Sequence, residues 1–195
     1  MQSHPTRGLT VLGAGAWGTG LACQIAAHQP ALLWGRDAAQ MQQLQSTRSN
    51  AAYLPDGPLP QALSLTADLD AALRHAAGPF GLLLVAVPVS GLRSTVQAVR
   101  IFNADKPQGA RVQHLVWLCK GFEQGSGLLP HAVVDAVFAG MDAAPATAAL
   151  SGPSFALEVA RGLPVALTLA SADDALRRSE GRRGGEEGRN RGLPV

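Results

Sequence analysis

Gly13-Ala14-Gly15-Ala16-Trp17-Gly18 follows directly on the apolar run Leu9 to Leu12 and opens a stretch, Trp17 to Ala27, with helical spacing. A strand that ends in G-x-G-x-x-G and passes straight into a helix restricts the chain to few architectures, because each glycine answers a backbone need. Gly13 permits the tight turn, Gly15 lets the backbone approach a phosphate, and Gly18 lets the helix pack closely on the strand. The helix N-terminus then offers unpaired amide hydrogens and a partial positive charge to an anion. In a chain with 22 glycines the motif alone could be a glycine-rich turn. The strand before it and the helix after it are the context that a dinucleotide-binding loop demands.

The rest of the chain continues that alternation. Leu9 to Leu12, Ala31 to Trp34, Phe80 to Val87, Val112 to Leu118 and Pro164 to Ala170 read as strands without polar alternation, as expected of parallel strands covered on both faces. Trp17 to Ala27, Asp37 to Arg48, Asp68 to His75, Val89 to Phe102 and Leu128 to Ala139 have helical spacing. Tyr53 to Pro60 carries Pro55, Gly57, Pro58 and Pro60 and reads as a loop. The expected fold is α/β: a doubly wound, mostly parallel, Rossmann-like sheet in a single domain over residues 1–172.

Residues 173–195 form an Arg/Gly/Glu-rich tail with almost no apolar side chain between Arg178 and Arg191, and disorder is expected there. The pentapeptide Arg161 to Val165 recurs as Arg191 to Val195 with unrelated flanks. We expect the tail to be a product of truncation or of a shifted reading frame rather than a native continuation. The same stretch accounts for the basic balance of the chain. Arg177 to Arg191 holds six arginines against three glutamates, so the remainder is slightly acidic and a nucleic-acid partner is not expected.

Cys23 and Cys119 lie far apart, and the five histidines form no metal-ligand spacing with them or with one another. Reduced thiols and no metal are expected. The longest apolar run, Gly81 to Val89, is too short to cross a bilayer and is broken by Pro88, and Met1 to Thr10 has no apolar leader segment. A cytoplasmic, soluble protein without membrane insertion is expected.

Candidate binding residues sit where apolar runs end. The second strand ends at Trp34-Gly35-Arg36-Asp37, and Asp37 lies nineteen residues beyond Gly18. An acidic residue there suits the ribose 2′-hydroxyl of NAD, and an arginine the 2′-phosphate of NADP. Asp37 suits a helix N-cap at least as well, so Arg36 is favoured and NADP with it. Ala86 is small enough for close approach of a flat cofactor, or is simply a buried strand end. Lys120 ends the next strand at the edge where open sheets bind ligands, and serves there as a point charge or as a solvated side chain. Cys119 beside it has no adjacent histidine and reads as a filler. Ser154, after Ser151-Gly152-Pro153, is either a local cap or part of a second anion site.

GAGAWGTGLA, LLWGRD, YLPDGPLP, LLLVAVP, CKGFE and SGPSFALEVARGLP occur in the order and spacing of bacterial NAD(P)-dependent glycerol-3-phosphate dehydrogenase. The chain resembles that family from about Thr10 to Ala170. The resemblance implies that Ala16, Trp17, Arg36 and Lys120 contact NADP or NAD, with Tyr53 as a further candidate and Ala156 near the nicotinamide, beside Gly13, Gly15 and Gly18 from the loop motif and Asp37 from its spacing. Ala16 stands where the family commonly has serine, so one hydroxyl contact is missing while the backbone amide remains. Lys120, Gly152 and Ser154 would hold the phosphate and glycerol portion of the substrate. The implied reaction is hydride transfer between NAD(P)H and dihydroxyacetone phosphate, giving sn-glycerol 3-phosphate for phospholipid synthesis.

The family places its proton-transferring lysine in a helical C-terminal domain, and no catalytic residue of that kind is assigned within these 195 residues. Without general acid catalysis, worth about 10²- to 10⁴-fold, very low turnover is expected. An apolar face left without that domain is expected to promote association, homo-oligomerisation included. Two other readings are a catalytically silent NADP-binding module and another reductase that pairs such a sheet with a helical domain.

Overall fold

The structure is a computed structural model and describes residues 8–55, 57–153 and 156–173. The tail expected to be disordered, from residue 174 on, and the candidate Ser154 lie outside the described residues. The elements in chain order are β1 (Leu9–Leu12), α1 (Ala16–Ala26), β2 (Ala31–Trp34), α2 (Ala38–Thr47), β3 (Leu63–Thr66), α3 (Leu69–His75) and β4 (Leu82–Val85). There follow α4 (Val89–Ala104), β5 (His114–Trp117), α5 (Pro130–Phe138), β6 (Ala146–Ser151), α6 (Ala156–Ala160) and β7 (Thr168–Ser171). The strands form one sheet in the order β3-β2-β1-β4-β5-β6-β7. Every pairing is parallel except that of β7 with β6. The expected α/β, doubly wound, mostly parallel, Rossmann-like sheet is therefore the observed fold.

Period-two alternation divides each central strand between two cores. Leu9, Val11 and Leu33 face Ala22 of α1 with Met41 and Leu44 of α2. Leu12, Leu83 and Val85 face Leu73 of α3, Leu92, Val96 and Val99 of α4, and Val133 and Val134 of α5. All four residues of β1 and of β4 are buried, which is why both read as almost wholly apolar runs. Thr10 is the polar exception, and its Oγ1 lies 2.8 Å from His75 Nδ1 at the end of α3. Burial lowers the pKa of that imidazole.

Two strands escape the sequence pattern. Leu63–Thr66 buries Leu63 and Leu65 but exposes Ser64, as an edge strand does, and four alternating residues behind a proline-rich loop are a weak signal. Ala146–Ser151 is alanine-rich and lacks the β-branched or aromatic residues that mark strands. The last strand is also displaced: it runs Thr168–Ser171 rather than from Pro164 to Ala170, and pairs antiparallel with β6. Proline has no amide hydrogen to give a ladder, so Pro164 falls in the preceding loop.

Candidate functional site

The chain runs outward from β1 to β3 and then crosses over to β4, so the connections after β1 and β4 diverge and leave a crevice at the carboxyl edge. The strand ladder continues one step into these connections, with Gly13 N–H donating to Trp34 O at 2.8 Å and Ala86 N–H to Leu12 O at 2.8 Å. On the far side Leu118 N–H donates to Val85 O at 3.0 Å. Four connections thus leave the sheet at one level and line a cleft of about 810 Å³. Gly13 to Trp17, Trp34 to Arg36, Ala86 to Gly91 and Leu118 to Lys120 form its walls. A second cavity of about 250 Å³ lies between the β5 and β6 ends and Leu167, and shares Trp17, Leu118 and Lys120 with the first.

The three loop glycines occupy different environments. Gly13 has φ +119°, and a Cβ there would lie 2.7 Å from Ala86 O. A Cβ on Gly18 would lie 1.8 Å from Gly13 O and 3.1 Å from Ala86 Cβ, so this residue is buried beneath the loop rather than in the cleft wall. A Cβ on Gly15 would meet nothing within 4 Å. Thr19 N–H, bonded to Gly15 O at 2.9 Å, is the first amide of α1 with an intrahelical partner. The preceding amides, of Ala16, Trp17 and Gly18, are the unpaired set that begins every helix.

The other candidates are distributed unevenly. Ala16, Trp17, exposed Arg36, Tyr53 and Lys120 line the cleft. Gly152 lines the smaller cavity, where its carbonyl accepts a hydrogen bond from Lys120 Nζ at 3.2 Å. Asp37 is not among the lining residues: its Oδ1 accepts from Ala39 N–H at 2.9 Å and Gln40 N–H at 3.1 Å and caps α2. Ala156 lies outside both linings, at the start of α6, where its carbonyl crowds Gly20 of α1. Cys119 lines the cleft, and burial pushes its thiol pKa up, opposite to the shift that activates a nucleophile. Among the described residues no His, Cys, Asp and Glu side chains group to hold a metal ion, and no helix is long and apolar enough to cross a membrane.

Two supports of the site have no local sequence signature. Asn50, buried at 3% exposure, reaches from the loop after α2 to the Ala14 carbonyl and to Thr19. Glu123, three residues past Lys120, accepts a fork from Arg93 of α4: Nε to Oε1 at 2.8 Å and a terminal nitrogen to Oε2 at 2.7 Å. Ser126 Oγ adds a third bond to Oε2 at 2.5 Å. These donors, Arg93 first, hold the Glu123 pKa down at about 2 from an ordinary 4.5. A carboxylate with a depressed folded-state pKa stabilises the fold fully above about pH 4.5 and loses that contribution as the pH falls toward about 2. Glu123→Gln is therefore expected to lower Tm most near neutral pH, with the gap closing through that acid window. A gap independent of pH would show that the charge contributes nothing.

The family model for the NAD-dependent glycerol-3-phosphate dehydrogenase N-terminus matches residues 8–177. The chain belongs to this family. Glycerol-3-phosphate dehydrogenase [NAD(P)+] of Methylibium petroleiphilum is 52% identical over 171 residues, covering 87% of this chain and 47% of that protein. The Ralstonia nicotianae protein of the same name is 49% identical over 169 residues, covering 86% of this chain and 48% of its own. Among solved structures, glycerol-3-phosphate dehydrogenase from Coxiella burnetii superposes with a TM-score of 0.74 at 30% identity, covering 90% of this chain and 50% of that one. This member of the glycerol-3-phosphate dehydrogenase family thus spans about half the length of the relatives it matches, the half that carries the sheet.

Proposed function

We propose that this chain is the dinucleotide-docking half of an NAD(P)-dependent glycerol-3-phosphate dehydrogenase, with NADP preferred. The observation that carries the reading is the open space over Gly15 at the start of α1, inside a cleft with Arg36 near one end and Lys120 near the other. Arg36 follows β2 and Lys120 follows β5, three strand intervals apart, or about 14 Å at the usual strand spacing. That separation suits an extended molecule with anionic groups along its length. The amides of Ala16 and Trp17, together with the positive end of α1, would hold the pyrophosphate. Arg36 would take the 2′-phosphate, and Tyr53 would flank the adenosine portion.

When bound, the reduced nicotinamide supplies the hydride for a carbonyl carbon. The residues here bind and orient: the ammonium of Lys120, beside Gly152 and the smaller cavity, would hold the phosphate or the carbonyl oxygen of dihydroxyacetone phosphate. Trp17, Leu118 and Leu150 would keep water from that end of the cleft. Ser154 and Ala156 remain candidates for the same region on the family resemblance. On the family resemblance, the proton-transferring lysine would belong to the part of the longer relatives that this chain does not match.

NADPH fluorescence titration of the 195-residue chain tests the docking role, and mass-spectrometric acetylation of Lys120 tests the substrate role. Saturable NADPH binding, followed by protection of Lys120 when dihydroxyacetone phosphate is added, is expected. Binding with no protection would favour a silent NADP module, and no binding would defeat the proposal.

A further inference from the structure

We infer that Asn50 is a positioning residue for the dinucleotide loop: it turns the Ala14–Gly15 peptide so that the Gly15 N–H faces the ligand. The inference rests on the dinucleotide reading above and adds to it the residue that orients the phosphate donors.

Asn50 is 3% exposed, and its side-chain amide has two hydrogens. Nδ2 donates to Ala14 O at 3.1 Å and to Thr19 Oγ1 at 2.8 Å, so both hydrogens have partners. One bond grips the loop between Gly13 and Gly15, and the other grips the first turn of α1. Gln40 Nε2 adds a longer contact to the same Ala14 carbonyl at 3.4 Å. In a planar trans peptide the carbonyl and the following amide hydrogen point in opposite directions. Holding Ala14 O inward therefore sends the Gly15 N–H outward, on the side where a Cβ at Gly15 would meet nothing within 4 Å. Gly15 forms the C-terminal hinge of this peptide, and glycine resists rotation of its neighbouring peptide planes less than any other residue. A side-chain tether is what selects one orientation before the ligand arrives.

The tether itself is anchored. The Asn50 carbonyl accepts from Tyr53 N–H at 3.0 Å and from Leu54 N–H at 2.7 Å, forming the turn that brings Tyr53 to the cleft. Leu59 N–H donates to Arg48 O at 2.7 Å, and the Arg48 guanidinium donates to Leu63 O at 3.0 Å and to Pro60 O. The proline-rich loop is thereby fastened at both ends to α2 and β3. Asn50 joins that fastened loop to the glycine loop: its backbone carbonyl holds the turn that bears Tyr53, and its side chain holds the phosphate wall.

The test compares ligands that do and do not use the Gly15 amide. For Asn50→Ala, the Kd for NADPH is expected to rise about tenfold, the scale of one hydrogen bond's net worth. The Kd for adenosine 2′-monophosphate, which has no pyrophosphate, is expected to change less than about twofold. Equal weakening of both ligands, or no weakening of NADPH, would overturn the inference. A measurement on the unaltered chain avoids any folding defect of the variant. The Gly15 amide is expected to exchange freely with solvent deuterium and to become protected on adding NADPH. A Gly15 amide already protected without NADPH would show that it points inward and would overturn the orientation. Failure of the unaltered chain to bind NADPH would instead remove the dinucleotide reading, and this inference with it.

Discussion

Gly18→Ala is expected to destabilise the protein by about 3 kcal/mol or more, the upper range for forcing extra volume into a packed interior. Its Cβ would lie 1.8 Å from Gly13 O, a backbone atom fixed by the ladder bond from Gly13 N–H to Trp34 O. No side-chain rotation relieves such a contact, so α1 must lift from the loop. For a chain of this size the change corresponds to a fall in Tm of roughly 6–12 °C. Gly15→Ala makes the opposite separation. The backbone there, φ −79° and ψ −174°, is open to any residue, and the added methyl meets nothing within 4 Å. Stability is expected to move by less than about 1 kcal/mol, while the methyl occupies the space assigned to the pyrophosphate and raises the NADPH Kd at least about tenfold. Thermal melts and NADPH titrations of the two variants check this. A Gly15 variant that melts early, or a Gly18 variant that does not, would contradict the division of labour within one motif.

Arg36→Ala is the second large effect. With Asp37 committed through Oδ1 to the cap of α2, the exposed Arg36 guanidinium is the charge that the end of β2 offers to the cleft. Charge-assisted hydrogen bonds are worth about 1.5–3 kcal/mol, so removing them is expected to weaken NADPH roughly ten- to a hundredfold while leaving NADH within about threefold. The loss should shrink as salt is raised, because the site is exposed and screened. Asp37→Ala, in contrast, removes a helix cap and is expected to lower stability by about 1 kcal/mol with little change in either affinity. Titration of both nucleotides against both variants separates the two roles, and equal losses for NADPH and NADH in Arg36→Ala would refute the assignment.

The fold was legible wherever burial on two faces wrote itself into composition. Leu9–Leu12 and Leu82–Val85 are apolar at nearly every position because a helix covers each face, and that is a pattern a sequence can carry alone. Leu63–Thr66 and Ala146–Ser151 were not legible, since one alternates over only four residues and the other is built of residues too small to signal a strand. In the site, Gly13 and Gly18 were legible because their neighbours exclude a side chain, a constraint that acts on the residue itself. Asn50 was not. It sits in a polar stretch of ordinary loop composition, and its two partners are 36 and 31 residues away. The Arg93–Glu123 fork is likewise created by the return of β5 beside β4, its members 30 positions apart in the sequence. Backbone demands are local and visible, whereas tertiary tethers become visible only once the chain is folded.

Trp17, Leu118 and Lys120 border both the long cleft and the small cavity beside it. On the proposed reading, a wall common to two compartments would couple their occupancies, because a ligand on one side would fix side chains that a ligand on the other would otherwise have to order. Any such linkage is reciprocal: whatever factor a ligand in the cleft would contribute to affinity in the small cavity, a ligand in the cavity would return to the cleft. Such coupling needs no moving lid. It is a property of three residues that belong to two rooms.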